Sequence, residues 1–158
     1  MIDAKQLQDF VIIPTLDVLQ MKSDAAINLL LGTCAQESAM GEYLVQIKGP
    51  AQGIFQMEPT TFRDIWANFV SYKPDIEQKL RDDFRGRANN PSQMVTDLRY
   101  AAAMCRLHYY RVKDPLPRAD DVWGLGHYWK KHYNTELGKG TVKEFVRNFE
   151  RYVMPGLL

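Results

Sequence analysis

Residues Gly32 to Thr61 read GTCAQESAMGEYLVQIKGPAQGIFQMEPTT, and within them Glu37 closes an apolar run before glycine-punctuated pieces begin. The run opens at Ser23, a residue suited to capping a helix, with Asp24 in the first turn. Ile27, Leu30, Leu31 and Cys34 then fall on several sides of the coil. A surface helix keeps its apolar residues to one stripe, so this pattern predicts a deeply buried helix reaching to about Glu37. Gly41, Gly49, Pro50 and Gly53 break the stretch that follows, which predicts a glycine-rich loop or a small β-hairpin. A carboxyl group at the end of a buried helix is partly desolvated, and desolvation disfavours its ionised form. The competing reading is a solvated carboxylate at an ordinary helix end.

Outward from this stretch the chain reads as helices. Residues 2–19 carry Leu7, Phe10, Val11, Leu16, Val18 and Leu19 in helical rhythm, with Pro14 expected to kink or restart the helix. Pro59 opens a segment to Phe69 in which Phe62, Ile65, Trp66 and Phe69 form a stripe typical of core packing. A short helix over Ile76 to Phe84 follows. A long helix from Pro91 carries Met94, Leu98, Ala101, Ala102, Cys105 and Tyr109 on one face until Asp114-Pro115-Leu116-Pro117 stops it. Two more helices, about Ala119 to Tyr133 and Val142 to Val153, flank the turn Leu137 to Gly140. The expected fold is mainly α: one domain over residues 1–158, of about seven helices.

Composition narrows the function classes. The chain has 158 residues, 46% hydrophobic and 25% charged, with a formal net charge of +1. Near-neutral charge lacks the basic signature of a polyanion binder, and no apolar stretch is long enough to span a bilayer, so neither nucleic acid nor a membrane is an expected partner. Asp3, Lys5, Asp9 and Asp17 interrupt the apolar positions of the first nineteen residues, unlike a secretory signal. Cys34 and Cys105 sit in apolar helical runs, where free cysteine behaves as a small hydrophobe.

A glutamic acid that stays protonated near neutrality is what glycosidic cleavage asks of its proton donor. The motifs around Glu37 resemble the soluble lytic transglycosylase and goose-type lysozyme group of the lysozyme-like superfamily. In that group a Glu-Ser pair at a helix end is followed, somewhat under twenty residues on, by a Gly-Leu-Met-Gln-Ile-Met-Pro segment and a helix. Here Glu37-Ser38 is followed by Gly53-Ile54-Phe55-Gln56-Met57-Glu58-Pro59, with Gln56 nineteen positions after Glu37. The chain is also similar, over almost its whole length, to small phage-encoded transglycosylase-like proteins that share the Glu-Ser, Gly-Pro-Ala-x-Gly-x-x-Gln-Met-Glu-Pro and Tyr-Trp-Lys-x-x-Tyr-Asn-Thr runs.

The resemblance implies a lysozyme-like fold, Glu37 as catalytic acid/base, Ser38 as the neighbour that holds it, Gln56 in the substrate cleft, and Gly53 as the point where backbone passes close to sugar. A downstream family segment, Ala-Tyr-Asn-Ala-Gly, has a looser echo in His132-Tyr133-Asn134-Thr135, making Tyr133 and Asn134 candidate cleft residues with Tyr128 as a substitute. Tyr43 and Phe55, aromatic residues in the glycine-rich segment, are candidate sugar platforms. The implied substrate is the peptidoglycan glycan strand, cut between N-acetylmuramic acid and N-acetylglucosamine. Without a second carboxylate the product is a 1,6-anhydro sugar; with one, drawn from Glu42, Glu58 or Asp64, it is hydrolytic. Glu58 stands where the family segment is usually apolar, although a helix N-terminal acid explains it equally. The absence of an export signal then points to a phage or prophage source, acting from a virion or released from the host cytoplasm, with tail or other virion proteins as further partners.

Three rival readings carry less support. His127, His132 and Glu136 lack the spacing of a metal-binding helix, so neither a metal nor another cofactor is expected. Cys34 or Cys105 with His108 would form a cysteine peptidase, yet neither cysteine sits in an activating motif. A catalytically inactive lysozyme fold serving as a structural part of a virion would have no need of Glu37, Ser38, Gly53 and Gln56 together.

Overall fold

Ser23 caps the second helix as expected, its Oγ accepting from the Ala26 N–H at 3.1 Å. In the computed structural model, which describes residues 1–157, this helix, α2 (Asp24–Ser38), is the axis of the molecule. Leu29, Leu30 and Leu31 are all fully buried although they point in three directions. A helix can hide three consecutive leucines only when other elements cover it on every side. Each such burial contributes about 2 kcal/mol.

Four helices supply the cover. The first, α1, runs from 4 to 19 as Ala4–Leu7, a π-helical turn Gln8–Ile12 and Ile13–Leu19. Pro14 does not end it: α-helical spacing restarts at Ile13 after the π turn, with the proline in its first turn, as expected. The π turn lies just before the proline, with the Ile13 N–H reaching back five residues to the Gln8 carbonyl, so the missing proline N–H falls inside a locally widened coil. After the excursion 39–58 come α3 (Pro59–Asn68), α4 (Pro74–Asp82), a four-residue α5 (Gln93–Thr96) and α6 (Leu98–Tyr110). The last two are α7, Val122–Trp129 prolonged by the π turn Lys130–Asn134, and α8, Val142–Asn148 prolonged by a second such turn and Met154–Leu157. The four that cover α2 are α1, α6, α7 and α8.

The described residues therefore form eight helices and no strand, a mainly α architecture. The count exceeds seven because the long helix expected from Pro91 divides at Asp97. That residue adopts extended backbone and its Oδ1 accepts from the Tyr100 N–H at 2.9 Å, capping a new helix. The excursion holds two isolated antiparallel bridges, Val45 with Gln52 and Gln52 with Met57, so it is a loop with hairpin character. The stripe Phe62, Ile65 and Trp66 is core, as its spacing predicts, and Trp66 donates its indole N–H to Tyr100 Oη at 3.1 Å. One contiguous apolar cluster joins all these elements. Leu158, the end of the expected domain, lies outside the described residues.

Helices α2 and α8 approach closely at Gly32 of α2. A Cβ there would stand 2.4 Å from Phe145 Cζ, and Phe145 is itself fully buried between Trp129 and Phe149, with ring centroids at 5.5 and 6.4 Å. Alanine has the higher helix propensity, but the ring has no free space to enter. Gly32→Ala is therefore expected to lower stability by about 1–3 kcal/mol in urea denaturation. An unchanged or raised midpoint would show that α8 is not packed as described.

Candidate active site

Helix α2 ends where the interior meets a cleft. Ala39 takes the left-handed conformation, and its N–H returns to the Cys34 carbonyl, which closes the helix one residue after Ser38. Glu37 thus occupies the last turn with its carboxyl half-buried in the cleft wall. Trp129 of α7 donates its indole N–H to Glu37 Oε1 at 2.8 Å. Burial pushes the carboxyl up from an ordinary 4.5 to about 7, and the indole hydrogen bond, which favours the charged form, opposes that rise. An indole can only donate. Oε1 is consequently an acceptor in either protonation state, and Oε2 is the oxygen left to carry the proton.

Ser38 is buried and works as a clip. Its Oγ lies 2.5 Å from the Ile54 carbonyl and 3.2 Å from that of Cys34, both acceptors, and accepts from the Gly41 N–H at 2.9 Å. One hydroxyl therefore ties the end of α2 to the Gly53–Met57 turn, and this brings Gln56 to Glu37's side of the molecule. Gln56 holds a left-handed backbone (φ 47°) and donates its side-chain amide to the Gly53 carbonyl at 2.8 Å.

The cleft encloses about 750 Å³, the size expected of a small-molecule site, and its walls include Glu37, Gln56, Glu58, His108, Tyr133 and Asn134. The π turn at the end of α7 gives Tyr133 and Asn134 their position. Its wider coil finishes at Thr135, whose N–H reaches Lys130 O at 2.8 Å. Tyr133 Oη donates to the Phe55 carbonyl at 2.6 Å, so it braces the Gly53–Met57 turn and makes no bond to Glu37. Tyr128 donates instead to the Asp114 carbonyl and lies off the cleft.

Four expected site residues are off the cleft: Ser38, buried and bonded to backbone without touching the Glu37 carboxyl, and three more. Phe55 is 1% exposed and belongs to the core, because the same turn that presents Gln56 points its neighbour inward. Gly53 is buried with φ 78°, and a Cβ on it would meet the Met94 carbonyl at 2.5 Å; its role is to let two stretches of protein backbone meet, and it lies off the cleft surface. Tyr43 is exposed on the outer part of the excursion, away from the cleft walls. Of the candidate second carboxylates, only Glu58 lines the cleft, exposed at the N-terminus of α3. Asp64 is drawn to Arg111 at 2.6 Å and Asn68 at 2.7 Å, which hold it below the usual carboxylate range.

The rival chemistries meet definite obstacles. Both cysteines are buried, and burial pushes the Cys34 thiol up to about 12 and Cys105 well above its ordinary value, so neither offers a thiolate. His132 turns to Asp114 at 2.9 Å, and the described residues place no group of three potential ligands where a metal could sit. The basic run beside Trp129 is consumed internally. Lys130 donates to Asn134 Oδ1 and to the Gly138 and Gly140 carbonyls, and Lys131 pairs with Asp114.

Two site residues escaped the sequence reading. Trp129 counted there only within the Tyr-Trp-Lys-x-x-Tyr-Asn-Thr run; its pairing with Glu37 spans 92 positions and leaves no local pattern. His108 entered only as a peptidase partner. Compared with protein-family models, curated proteins and solved structures, the chain matches none. No helix among the described residues is long and apolar enough to cross a membrane.

A raised carboxyl pKa has a signature in stability. Between pH 4.5 and about 7 the folded chain holds a proton on Glu37 that the unfolded chain has released. Stability contributed by this group is full below pH 4.5 and is lost as pH rises through about 7, in total roughly 2–3 kcal/mol after allowance for solvent at the open side of the cleft. Glu37→Gln keeps an acceptor for Trp129 but cannot ionise. Its unfolding free energy is expected to fall less than wild type's between pH 5 and pH 8; parallel profiles would mean that Glu37 is solvated.

Proposed function

We propose that this chain is a lysozyme-like enzyme that cleaves bacterial peptidoglycan between N-acetylmuramic acid and N-acetylglucosamine, as a lytic transglycosylase with Glu37 as acid/base. The observation that carries the reading is a carboxyl group that burial pushes up to about 7 in the wall of a sugar-sized cleft, at nearly the spacing from Gln56 that the transglycosylase group displays. Glu37 Oε2 gives its proton to the bridging oxygen as the C1–oxygen bond of the muramic acid breaks. The Glu37 carboxylate then takes the proton of that sugar's 6-hydroxyl while O6 bonds to C1, which yields a 1,6-anhydro ring and restores the protonated glutamic acid. Water takes no part. Glu58 supports a second reading: a carboxylate on the same cleft can serve as nucleophile or activate water, which makes the enzyme a hydrolase. Its exposure favours the anhydro route, since Glu58 is more solvated than Glu37. The likeness to small phage-encoded proteins supports action on the wall from a virion or at host lysis.

Wild type is expected to clear peptidoglycan in a gel overlay, and Glu37→Gln to lose about 10²–10⁴-fold in rate. Equal clearing by both, or none by either, defeats the assignment and favours a structural role. Mass spectrometry of the muropeptides separates the routes: anhydro products are lighter by one water than hydrolytic ones. The first step needs Glu37 protonated, so activity should decline above about pH 7. Trp129→Phe removes the bond that favours the carboxylate, so this decline should move to higher pH; a move to lower pH would contradict the role given to the indole.

A further inference from the structure

His108, on α6, faces the same cleft as Glu37, Gln56 and Tyr133. Arg111, one turn along, brings Nη2 to 3.1 Å from His108 Nδ1. A guanidinium can only donate, so Nδ1 is the acceptor and carries no hydrogen. Arg111 is fixed in turn, its Nη1 donating to Asp64 Oδ2 at 2.6 Å, while Asp64 Oδ1 takes the Asn68 amide at 2.7 Å. Burial, and then the adjacent guanidinium, push the imidazole down to about 4, so the ring is neutral near neutral pH. A neutral ring with a bare Nδ1 has its proton on Nε2. Tyr133 packs on the ring at 5.0 Å and 74°, which limits its rotation. Among the described residues no acceptor takes the Nε2 proton. The chain Asp64–Arg111–His108 thus ends in one unpaired, uncharged N–H at the cleft.

From this geometry we propose that His108 is a specificity residue whose Nε2–H donates to the acetamido carbonyl of an amino sugar in the cleft. The inference rests on the glycan reading above and adds the group that is recognised. A hydroxyl can donate or accept and pairs with almost any polar wall, whereas a donor that cannot become an acceptor selects a group that only accepts. A carboxylate would be better met by a cation; Arg111, which touches His108, is already spent on Asp64, and Lys139 on the same cleft is the group that suits an anion. An acetamido carbonyl fits a fixed neutral donor.

Two measurements test this. Long-range proton–nitrogen NMR of the wild-type chain at neutral pH should show His108 neutral and protonated at Nε2; a charged ring, or a proton on Nδ1, overturns the proposal without any substitution. Calorimetry with the N-acetylglucosamine tetramer should then show His108→Phe binding about tenfold more weakly than wild type, with most affinity kept in His108→Gln, whose amide retains a donor. The de-acetylated glucosamine tetramer should not distinguish the three proteins. If wild type binds the acetylated tetramer and His108→Phe binds it equally, the histidine's role falls while the glycan reading stands. If wild type does not bind it, both fall.

Discussion

The contact on which the rest depends is the indole N–H of Trp129 against one oxygen of Glu37. A carboxyl group at the end of an apolar helix is costly to charge, and without a hydrogen-bond donor it would hold its proton to higher pH. The indole offsets part of that cost and keeps the proton exchangeable near neutrality. It also assigns the two oxygens different tasks. An acid that must donate and then accept within one reaction needs this balance, since a carboxyl held too firmly in either state performs half the cycle.

Holding Trp129 in place takes most of the molecule. Its ring stacks on Phe145, Phe145 lies over Gly32, and Gly32 belongs to the same helix as Glu37. Glu37 and its partner are therefore fixed by one packed column. On the other side, the Ser38 hydroxyl fastens the end of α2 to Ile54, and Tyr133 fastens Phe55 to α7. The Gly53–Met57 turn is pinned from both flanks, and Gln56 is presented without a strand to support it. Most of this is core packing, in which a volume change of a methylene is felt.

The polar groups around the cleft follow a common pattern of being spent. Lys130, Lys131, Arg111 and Asp64 are each paired within the protein, so these side chains contribute little free charge. What the cleft presents is a carboxyl near its midpoint and an imidazole without charge, with the exposed Glu58 and Lys139 also on its walls. A cleft of that character suits a ligand read by hydrogen bonds and shape.

Much of this was legible along the chain. Ser23, the three leucines of α2 and the glycine punctuation after Glu37 are local features, and capping, burial on every side and loop formation follow from residues within a few positions of one another. The same locality explains the two misjudged aromatics. Phe55 and Tyr43 share the composition expected of a sugar platform, but the direction a side chain takes from an irregular loop depends on what packs behind it. Gly53 was correctly singled out and given the wrong neighbour, because a close approach is visible in a glycine while its partner, Met94, is forty-one positions away. By itself the sequence determined a helical protein with one carboxyl at the mouth of its most buried helix. Only the tertiary structure decided that this carboxyl meets an indole from 92 residues downstream, and that the arginine beside His108 is anchored by Asp64, 47 positions before it. Side-chain pairs at that separation are set by the packing of whole helices, which no short run of residues encodes.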